Sequence, residues 1–510
     1  MICFLISTPP NPCLSAGRLP LSRGGAYWFM SFLFLIPYYL LFAFISWRHL
    51  KWAVYLICLT LPAYLIRFQI GPVPMTVLEW EILILFIIFL IKNYGYLAMK
   101  QWNNETMTEK KWLHCFMISL LIFFLTSVVS IFVSSNLRSA AGIWKAYFLE
   151  PILFFVVFVS VVKKEDLKNV FKFLSLSVLL LSLVAVYQKF TGAFIDNSFW
   201  AAEATRRVTS VFPYPNASAL FLAPIVVAMM GALVSKCQSV KVSKDKKSLI
   251  TYFLLLITLV AAAAAIYFTR SKGALLAILA GIIFYAIFFK GHRKFFIGIL
   301  VVAFVTLLLY YFIAPANLAN TLKGNATVTG GDSISTRLDM WSETWQMLKT
   351  RPILGAGLAG YQSAVAPFHQ KSYIEVYLYP HNIFLNFWSE IGFFGLLAFL
   401  GIVIWFYKSV FSCHSGPDPE FRLLDPGLRR DDNELQVTSY KLQVTSYELQ
   451  IVIAAALTTL LVHGLVDVPY FKNDLSVLFW IIIGSIVVLS ASSLSRVSDN
   501  ESRDLVSGNQ

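Results

Sequence analysis

Charged residues are scarce in this sequence. Asp, Glu, Lys and Arg make up 13% of the 510 residues, whereas a typical soluble domain contains about 25%. The hydrophobic fraction is 58%, which is more apolar material than a water-soluble fold can hide. The composition therefore excludes an ordinary soluble protein and indicates a chain that resides in a lipid bilayer.

Cysteine and histidine are also rare, with six and seven residues. The cysteines form no C-x-x-C pair, and no histidine stands at metal-ligand spacing. We therefore expect neither a disulfide framework nor a metal site, and no cofactor is predicted. Residues 1–26 lack an apolar core long enough for a signal peptide, so the first apolar segment is expected to target the chain to the membrane.

Long apolar segments, by contrast, are abundant. Blocks of about 17 to 25 residues are separated by short polar breaks, and a helix needs about 20 residues to cross the hydrocarbon core. The blocks lack the two-residue alternation of barrel strands, so the predicted fold class is all-α, a polytopic transmembrane helix bundle of about 12–13 spans. The candidate spans lie near 27–46, 50–68, 76–92, 112–133, 143–162, 169–189, 217–235, 249–268, 273–290, 294–314, 383–408, 450–466 and 475–492.

The net charge of +14 reflects basic loops between the spans. Because positively charged loops favour the cytoplasm, we place the loops at 47–51, 92–111, 163–168, 236–247 and 290–294 there. The alternation then puts the segments at 190–216, 269–272, 315–382 and 467–474 on the outer side. The predicted organisation begins with an N-terminal extension, residues 1–26, which we expect to be disordered. Transmembrane helices over 27–314, a long extracytoplasmic loop at 315–382 and a transmembrane helix at 383–408 follow. A cytoplasmic polar insertion at 409–449, two transmembrane helices over 450–492 and a cytoplasmic tail at 493–510 complete the chain.

Two segments between spans are unusual. The long extracytoplasmic loop places Ile334, Leu338, Trp341, Trp345 and Leu348 at helical spacing, which predicts an amphipathic helix on the membrane face. The polar insertion carries a tandem repeat, LQVTSYK followed by LQVTSYE. Two copies are too few for a coiled coil, and no function is expected of this repeat.

Basic residues also occur in the segments assigned to the outer side, against the positive-inside trend. A single arginine or lysine there is explained by contact with lipid or solvent, but four separate segments repeat the pattern. A guanidinium group can bind two phosphate oxygens at once, so a single anionic ligand would explain all of these basic residues. The four segments carry Arg206 and Arg207, Arg270 and Lys272, Arg337, and His381.

His381 lies in the same outer set, directly before Asn382 and an apolar span. Imidazole can accept a proton near neutral pH, although a lone interfacial histidine is also compatible with a structural role. His463 and Asp467 fall on the same side, and Glu150 lies inside a span. These three residues are expected either to orient the arginines or to form structural pairs.

Four motifs resemble the O-antigen ligase and O-antigen polymerase superfamily. They are RVTSVFPYPNASALFL, SKGALLAILAG, RLDMWSETWQMLKTRPILGAGLAGYQ and HNIFLNFWSEIGFFGLL, which together span roughly residues 200–410. The resemblance implies a metal-independent glycosyltransferase of the bacterial cytoplasmic membrane, with its active site facing outward. Such an enzyme takes a glycan from undecaprenyl pyrophosphate and gives it to an acceptor hydroxyl on a lipid, protein or polysaccharide.

The resemblance also implies roles for individual residues. Arg207 and Arg337 would bind the pyrophosphate and His381 would act at the acceptor, with Asn216 and Asn382 in supporting positions. The family has an arginine after the serine of the second motif, where this chain has Lys272, and Arg270 lies two residues earlier. Either residue could supply that charge.

Three other functions remain open at this stage. An O-antigen polymerase would use another lipid-linked repeat unit as its acceptor, and product length would distinguish it from a ligase. A transporter or flippase for anionic lipids should show an internal repeat of spans, which the sequence lacks. A purely structural membrane protein would leave the outer basic residues unexplained.

Overall fold

The computed structural model describes residues 25–70, 73–97, 107–242, 246–288, 297–298, 301, 333–370, 376–412 and 430–507. Nearly all of these residues lie in helices, and the described part contains one small two-stranded sheet. The prediction of an all-α, polytopic bundle is therefore confirmed. The predictions for residues 1–24, for most of the span at 294–314, and for 315–332 and 413–429 fall outside the described residues.

The first part of the chain forms helices α1 to α7 and a hairpin. In order, these are α1 (Gly25–Arg48), α2 (Leu50–Thr60), the antiparallel strands β1 (Arg67–Ile70) and β2 (Val73–Thr76), α3 (Val77–Leu97), α4 (Met107–Val133), α5 (Leu137–Trp144), a π-helical turn (Lys145–Leu149), α6 (Glu150–Val161) and α7 (Leu167–Thr191).

The second part continues with the short helix α8 and then long helices. These are α8 (Ser198–Ala201), α9 (Pro215–Val242), α10 (Lys246–Thr269), α11 (Lys272–Phe288), α12 (Ser333–Thr350), α13 (Tyr361–Val365), α14 (Ile383–Ser412), α15 (Arg430–His463) and α16 (Asn473–Ser507). The tandem repeat lies within α15, so this half of the polar insertion is helical and continuous with the apolar segment that follows it.

One predicted span is shorter than expected. The sequence suggests a helix over 50–68, but α2 ends at Thr60 and a 3₁₀ turn with Pro62 near its start follows. Proline removes a backbone donor and clashes with the preceding helical turn, which explains the early end of the α-helix. The chain then forms β1 from Arg67, so the connection at this end is a hairpin.

Seven helical segments of the described chain are long and apolar enough to cross a membrane. They are Leu113–Val133, Leu137–Val161, Lys164–Thr191, Pro215–Leu233, Leu249–Thr269, Ile383–Ser412 and Asn473–Ser490, accompanied by the shorter apolar helices Leu35–Arg48, Leu50–Leu65, Lys272–Phe288 and Tyr447–His463. The chain is thus a multi-pass membrane protein. The total of twelve or thirteen spans stays a prediction.

The spans differ in how much protein surrounds them. In the Asn473–Ser490 span 89% of the apolar window is buried, against 22% in Leu113–Val133. The last span therefore lies at the centre of the bundle and α4 at its edge. Leu121, Leu125 and Phe132 of α4 are exposed, as expected where lipid covers a helix face.

Contacts between loops define two ends of the bundle. At one end, Lys51 Nζ lies 2.6 Å from Asp166 Oδ2, and Lys92 donates to the carbonyl of Trp47. We call this the basic end. The loops at 192–214, 270–271, 376–382 and 464–472 meet at the opposite end, which we call the site end.

Helix α12 confirms the predicted amphipathic helix and shows which face is covered. Thr344, Met347 and Leu348 are buried against the protein, whereas Ile334, Leu338 and Trp345 are exposed. Only some of the apolar residues that predicted the helix therefore pack against the protein. Its exposed members form an apolar stripe suited to contact with lipid.

The glycine-rich segment after α12 packs tightly against α14. Gly355 and Gly357 have φ angles of 67° and 78°, and a Cβ at Gly355 would lie 2.4 Å from the carbonyl oxygen of Ser389. The buried carboxylate of Glu390 accepts a hydrogen bond from the backbone N–H of Ala359 at 2.8 Å. This segment therefore connects α12 rigidly to the helix that follows His381.

Candidate active site

Arg207 lies between α8 and α9 and joins two other elements. Its Nε donates to the carbonyl of Thr269 at the end of α10, at 2.9 Å, and one terminal nitrogen donates to Oδ1 of Asn216 at 3.2 Å. Arg207 and Asn216, which the sequence suggested as site residues, are therefore in contact. The guanidinium is partly buried and its position is fixed by backbone and side chain together.

Arg270 and Lys272 occupy the tight connection between α10 and α11. Arg270 has a left-handed φ of 53°, and the Ser271 hydroxyl accepts a hydrogen bond from the N–H of Ala274 at 3.4 Å, which caps α11. Lys272 is the first residue of α11, and both basic side chains are exposed at the site end. The turn therefore presents two cations at the site end, of which Arg270 acts on Arg207 through its charge.

Arg337 reaches the same region from α12. Its Nε donates to the carbonyl of Val466, at 2.9 Å, in the loop between α15 and α16. Burial, together with the positive charges of Arg270 and Arg337, lowers the pKa of Arg207 to about 10. Arg270 and Arg337 are therefore each close enough to Arg207 to repel it, and Arg207 remains cationic at neutral pH.

His381 contacts Asp467 across two loops. Its Nδ1 lies 3.4 Å from Oδ1 of Asp467, and the side chain of Asp467 is almost fully buried. Burial by itself raises the pKa of Asp467, but the hydrogen bond and charge of His381 and the charge of Lys472 outweigh that effect, so the net pKa lies below its usual range. Asp467 is therefore a carboxylate at neutral pH and can orient the imidazole.

Backbone contacts hold these two loops together. Asn382 donates from Nδ2 to the carbonyl of Leu465 at 3.1 Å, and its Oδ1 accepts from the N–H groups of Phe384 and Leu385, which caps α14. The N–H of Ile383 donates to the carbonyl of Gly464 at 2.7 Å. The predicted supporting residue Asn382 thus serves both as a helix cap and as a link to the Asp467 loop.

His463 stands behind the cluster at the end of α15. It is buried, and a Cβ on Gly273 would lie 3.2 Å from its Nε2. The same Cβ would lie 2.9 Å from Cγ2 of Val466, so a side chain at Gly273 would displace Val466 and crowd the histidine, which explains the need for glycine after Lys272. His463 thus packs the start of α11 against the Asp467 loop.

Two of the residues considered from the sequence lie elsewhere. Arg206 donates to the carbonyls of Lys189 and Ala201, at 3.1 and 3.0 Å, and so caps the end of α7. Glu150 follows the π-helical turn and lies beside Glu79 and Lys145, in a different part of the bundle. The structure therefore gives Glu150 no contact with the arginines among the interactions described.

Sequence reasoning missed the aromatic side chains around His381. The rings of Tyr377 and Tyr379 meet the imidazole edge to face, with centroids 5.6 and 4.8 Å away, and Trp341 donates from Nε1 to the carbonyl of Pro380 at 2.9 Å. The clustered tyrosines just before His381 were the available signal.

In the described parts of the chain, no group of three His, Cys, Asp or Glu side chains could hold a metal ion, and metal independence stays a prediction.

The fold and the cluster define a multi-pass membrane protein with a cationic site and a His–Asp pair at one end of its helix bundle. Residues 257–400 match the family model described as O-antigen ligase, which confirms the predicted resemblance to the O-antigen ligase and polymerase superfamily. The match includes Arg270, Lys272, Arg337 and His381, while Arg207 and Asp467 lie beyond its limits. No curated protein matches the chain.

Proposed function

We propose that the chain is an O-antigen ligase-like glycosyltransferase. It moves a glycan from undecaprenyl pyrophosphate to an acceptor hydroxyl at the outer face of the cytoplasmic membrane. The observation that carries the proposal is the convergence of Arg207, Arg270 and Arg337, from three separate elements, near the pair formed by His381 and Asp467.

The arginines fit a pyrophosphate. Arg270 and Arg337 both repel Arg207, and a ligand with several anionic oxygens relieves that repulsion. Arginine forms paired hydrogen bonds to phosphate oxygens and holds its charge under all physiological conditions. The exposed apolar stripe on α12 suits contact with lipid, and Arg337 on the same helix would then lie near the lipid tail of such a donor.

The His–Asp pair fits activation of a hydroxyl. With Nδ1–H directed at Asp467, the other ring nitrogen of His381 is left to accept a proton. The acceptor oxygen attacks the anomeric carbon of the glycan, the bond from that carbon to the pyrophosphate oxygen breaks, and the hydroxyl proton passes to His381. The departing oxygen keeps the electron pair, and the arginines stabilise its charge without a metal, a cofactor or a protein nucleophile.

The orientation follows from the distribution of charge. Arg48, Lys51 and Lys163 lie at the basic end, where the positive-inside rule predicts the cytoplasm. The site end would then face outward, where lipid-linked glycans are joined to their acceptors. The acceptor is a glycan-bearing or hydroxyl-bearing lipid, protein or polysaccharide.

Transfer from a purified undecaprenyl-pyrophosphate glycan tests this function. Wild-type protein should transfer the glycan in the presence of a metal chelator, and His381→Ala should reduce kcat by about 10²-fold or more because the base is lost. His369→Ala is the matched control, since His369 lies in the same loop but pairs with Glu343, 3.0 Å away, outside the cluster.

The outcomes separate the possibilities. Loss of transfer in His381→Ala with retention in His369→Ala supports the function and the site. Equal activity of both variants would remove His381 from the reaction, and a wild-type protein inactive with every donor and acceptor offered would contradict the transferase. Products that carry one added glycan support a ligase, while a ladder of repeat units supports a polymerase.

A further inference from the structure

Helix α12 contacts both loops that carry the His–Asp pair. Arg337 and Trp341 lie one turn apart on this helix and so project from the same face. Arg337 donates to the carbonyl of Val466, next to Asp467, and Trp341 donates to the carbonyl of Pro380, next to His381. One helix thus donates a hydrogen bond of 2.9 Å to the residue before each partner of the pair.

Trp341 bonds to the peptide that directly precedes His381, a residue with an unusual backbone conformation. His381 has a φ of 48°, a region that side chains other than glycine seldom adopt. The Pro380 carbonyl and the His381 N–H belong to one peptide plane, and φ is the rotation about the N–Cα bond that joins this plane to the rest of His381. Holding this carbonyl therefore fixes one of the two sides of that rotation, and such strained conformations persist only where the surroundings hold them.

The opposite side of His381 is fixed by different contacts. The side chain of Asn382 is bonded to Leu465, and the N–H of Ile383 to Gly464. These contacts anchor the chain after His381 but leave the peptide before it to other groups. Trp341 supplies a hold on that preceding peptide.

We propose that Trp341 is a positioning residue for the reaction. Its indole N–H holds the Pro380 peptide, keeps His381 in its left-handed conformation and so keeps the imidazole directed at Asp467. The proposal rests on the proposed function, but the contact itself can be tested without it. Trp341 is not placed in contact with substrate, so the binding of the donor should not depend on its N–H.

Three variants of the full-length protein isolate the hydrogen bond. Trp341→Phe keeps an aromatic ring and removes the hydrogen-bond donor, whereas Trp341→Gln keeps a donor and removes the ring. Trp345→Phe is the control, since it replaces an exposed tryptophan of the same helix by phenylalanine. Loss of one hydrogen bond to a positioning group should lower kcat about tenfold in Trp341→Phe. The donor KM should stay within about twofold of wild type, since Arg337 is untouched.

The conservative variant distinguishes positioning from packing. Trp341→Gln should recover part of the kcat lost in Trp341→Phe, although it removes more buried surface, and Trp345→Phe should behave as wild type. A purely structural role predicts the reverse order, with Trp341→Gln the worse of the two. Wild-type kcat in Trp341→Phe, or a reduction equal to that in Trp345→Phe, would overturn the proposal.

Amide hydrogen exchange of the segment 376–385 provides a readout independent of activity. Trp341→Phe should accelerate exchange in this segment relative to wild type and to Trp345→Phe, because the loop loses an anchor. Accelerated exchange with an inactive wild type would contradict the transferase but support the positioning contact. Unchanged exchange with an active wild type would leave the transferase standing and overturn the positioning role.

Discussion

Arg206 and Arg207 are neighbours in the sequence but have different roles. Arg206 donates to carbonyls at the end of α7, whereas Arg207 donates to Thr269 and Asn216 and lies near two further arginines. The sequence identified both as basic residues in an outer segment and could not separate them by pattern alone. The distinction depends on Lys189 and Thr269, which are brought to this place by distant helices.

Asp467 should influence the rate rather than the binding of the donor. Asp467→Asn keeps the shape of the side chain but removes the charge that stabilises imidazolium when His381 takes up a proton. We expect kcat to fall by about 10-fold to 10²-fold with little change in donor KM, measured by initial rates of glycan transfer. Asp196→Asn, at an exposed position of the same end, should leave both constants unchanged; equal losses in the two variants would contradict the assignment.

The choice between Arg270 and Lys272 can be resolved at the same scale. The charge of Arg270 lowers the pKa of Arg207, which donates to the Thr269 carbonyl next to Arg270, whereas Lys272 is the first residue of α11. We therefore expect Arg270→Gln to raise the donor KM about tenfold and Lys272→Gln to raise it less. A larger effect of Lys272→Gln in the same donor titration would assign the family's basic position to the lysine.

At the scale of single elements, the segment after α12 depends on its glycines. Gly355 has a φ of 67°, and a Cβ there would lie 2.4 Å from carbonyl oxygens of Trp388 and Ser389. Gly355→Ala should therefore destabilise the fold by more than about 1 kcal/mol and reduce transfer, since this segment positions α12 against α14.

Gly142→Ala is the matched control for this substitution. Gly142 lies in α5, and a Cβ there meets nothing within 4 Å, so alanine should be neutral or slightly stabilising. Thermal unfolding of both variants in detergent tests the prediction. Equal melting temperatures would show that the segment tolerates a side chain at Gly355 and is not the rigid connection described.

The sequence predicted the existence of the elements better than their surroundings. The spacing of apolar residues predicts an amphipathic helix on the membrane face, and α12 is present with Ile334, Leu338 and Trp345 exposed. Leu348 belongs to the same pattern but is buried against the protein. Hydrophobic periodicity reports a face that avoids water, and lipid satisfies that requirement as well as a protein core does. The early end of α2 depends instead on Pro62, whose effect is local and could have been anticipated.

At the scale of the whole molecule, the two ends should lie on opposite sides of the membrane. Ser363 is exposed at the site end and Lys163 at the basic end. In a cysteine-free background, Ser363→Cys should react with a membrane-impermeant maleimide in intact spheroplasts, whereas Lys163→Cys should react only after permeabilisation. The reverse pattern would place the arginines in the cytoplasm and contradict the proposed orientation.

Composition and apolar segments were sufficient to predict a polytopic helix bundle, because lipid restricts the chain to a few architectures. They could not show that Arg207 lies near Arg337 and His381, since several spans separate Arg207 from the segment that carries the other two residues. The motif resemblance suggested their common role, and Asp467 entered only as one of several residues on the same side. Its contact with His381 depends on how α14 and α15 pack, which no local pattern encodes.

The central claim is that the clustered arginines bind the pyrophosphate of a lipid-linked donor. The most direct measurement is the thermal stabilisation of purified protein by undecaprenyl pyrophosphate without a glycan, compared between Arg207→Gln and Arg206→Gln. A ligand at about 100 times its Kd should stabilise wild type by about 2.7 kcal/mol. We predict that this stabilisation persists in Arg206→Gln and is lost in Arg207→Gln, whereas equal stabilisation of the two variants would contradict the account.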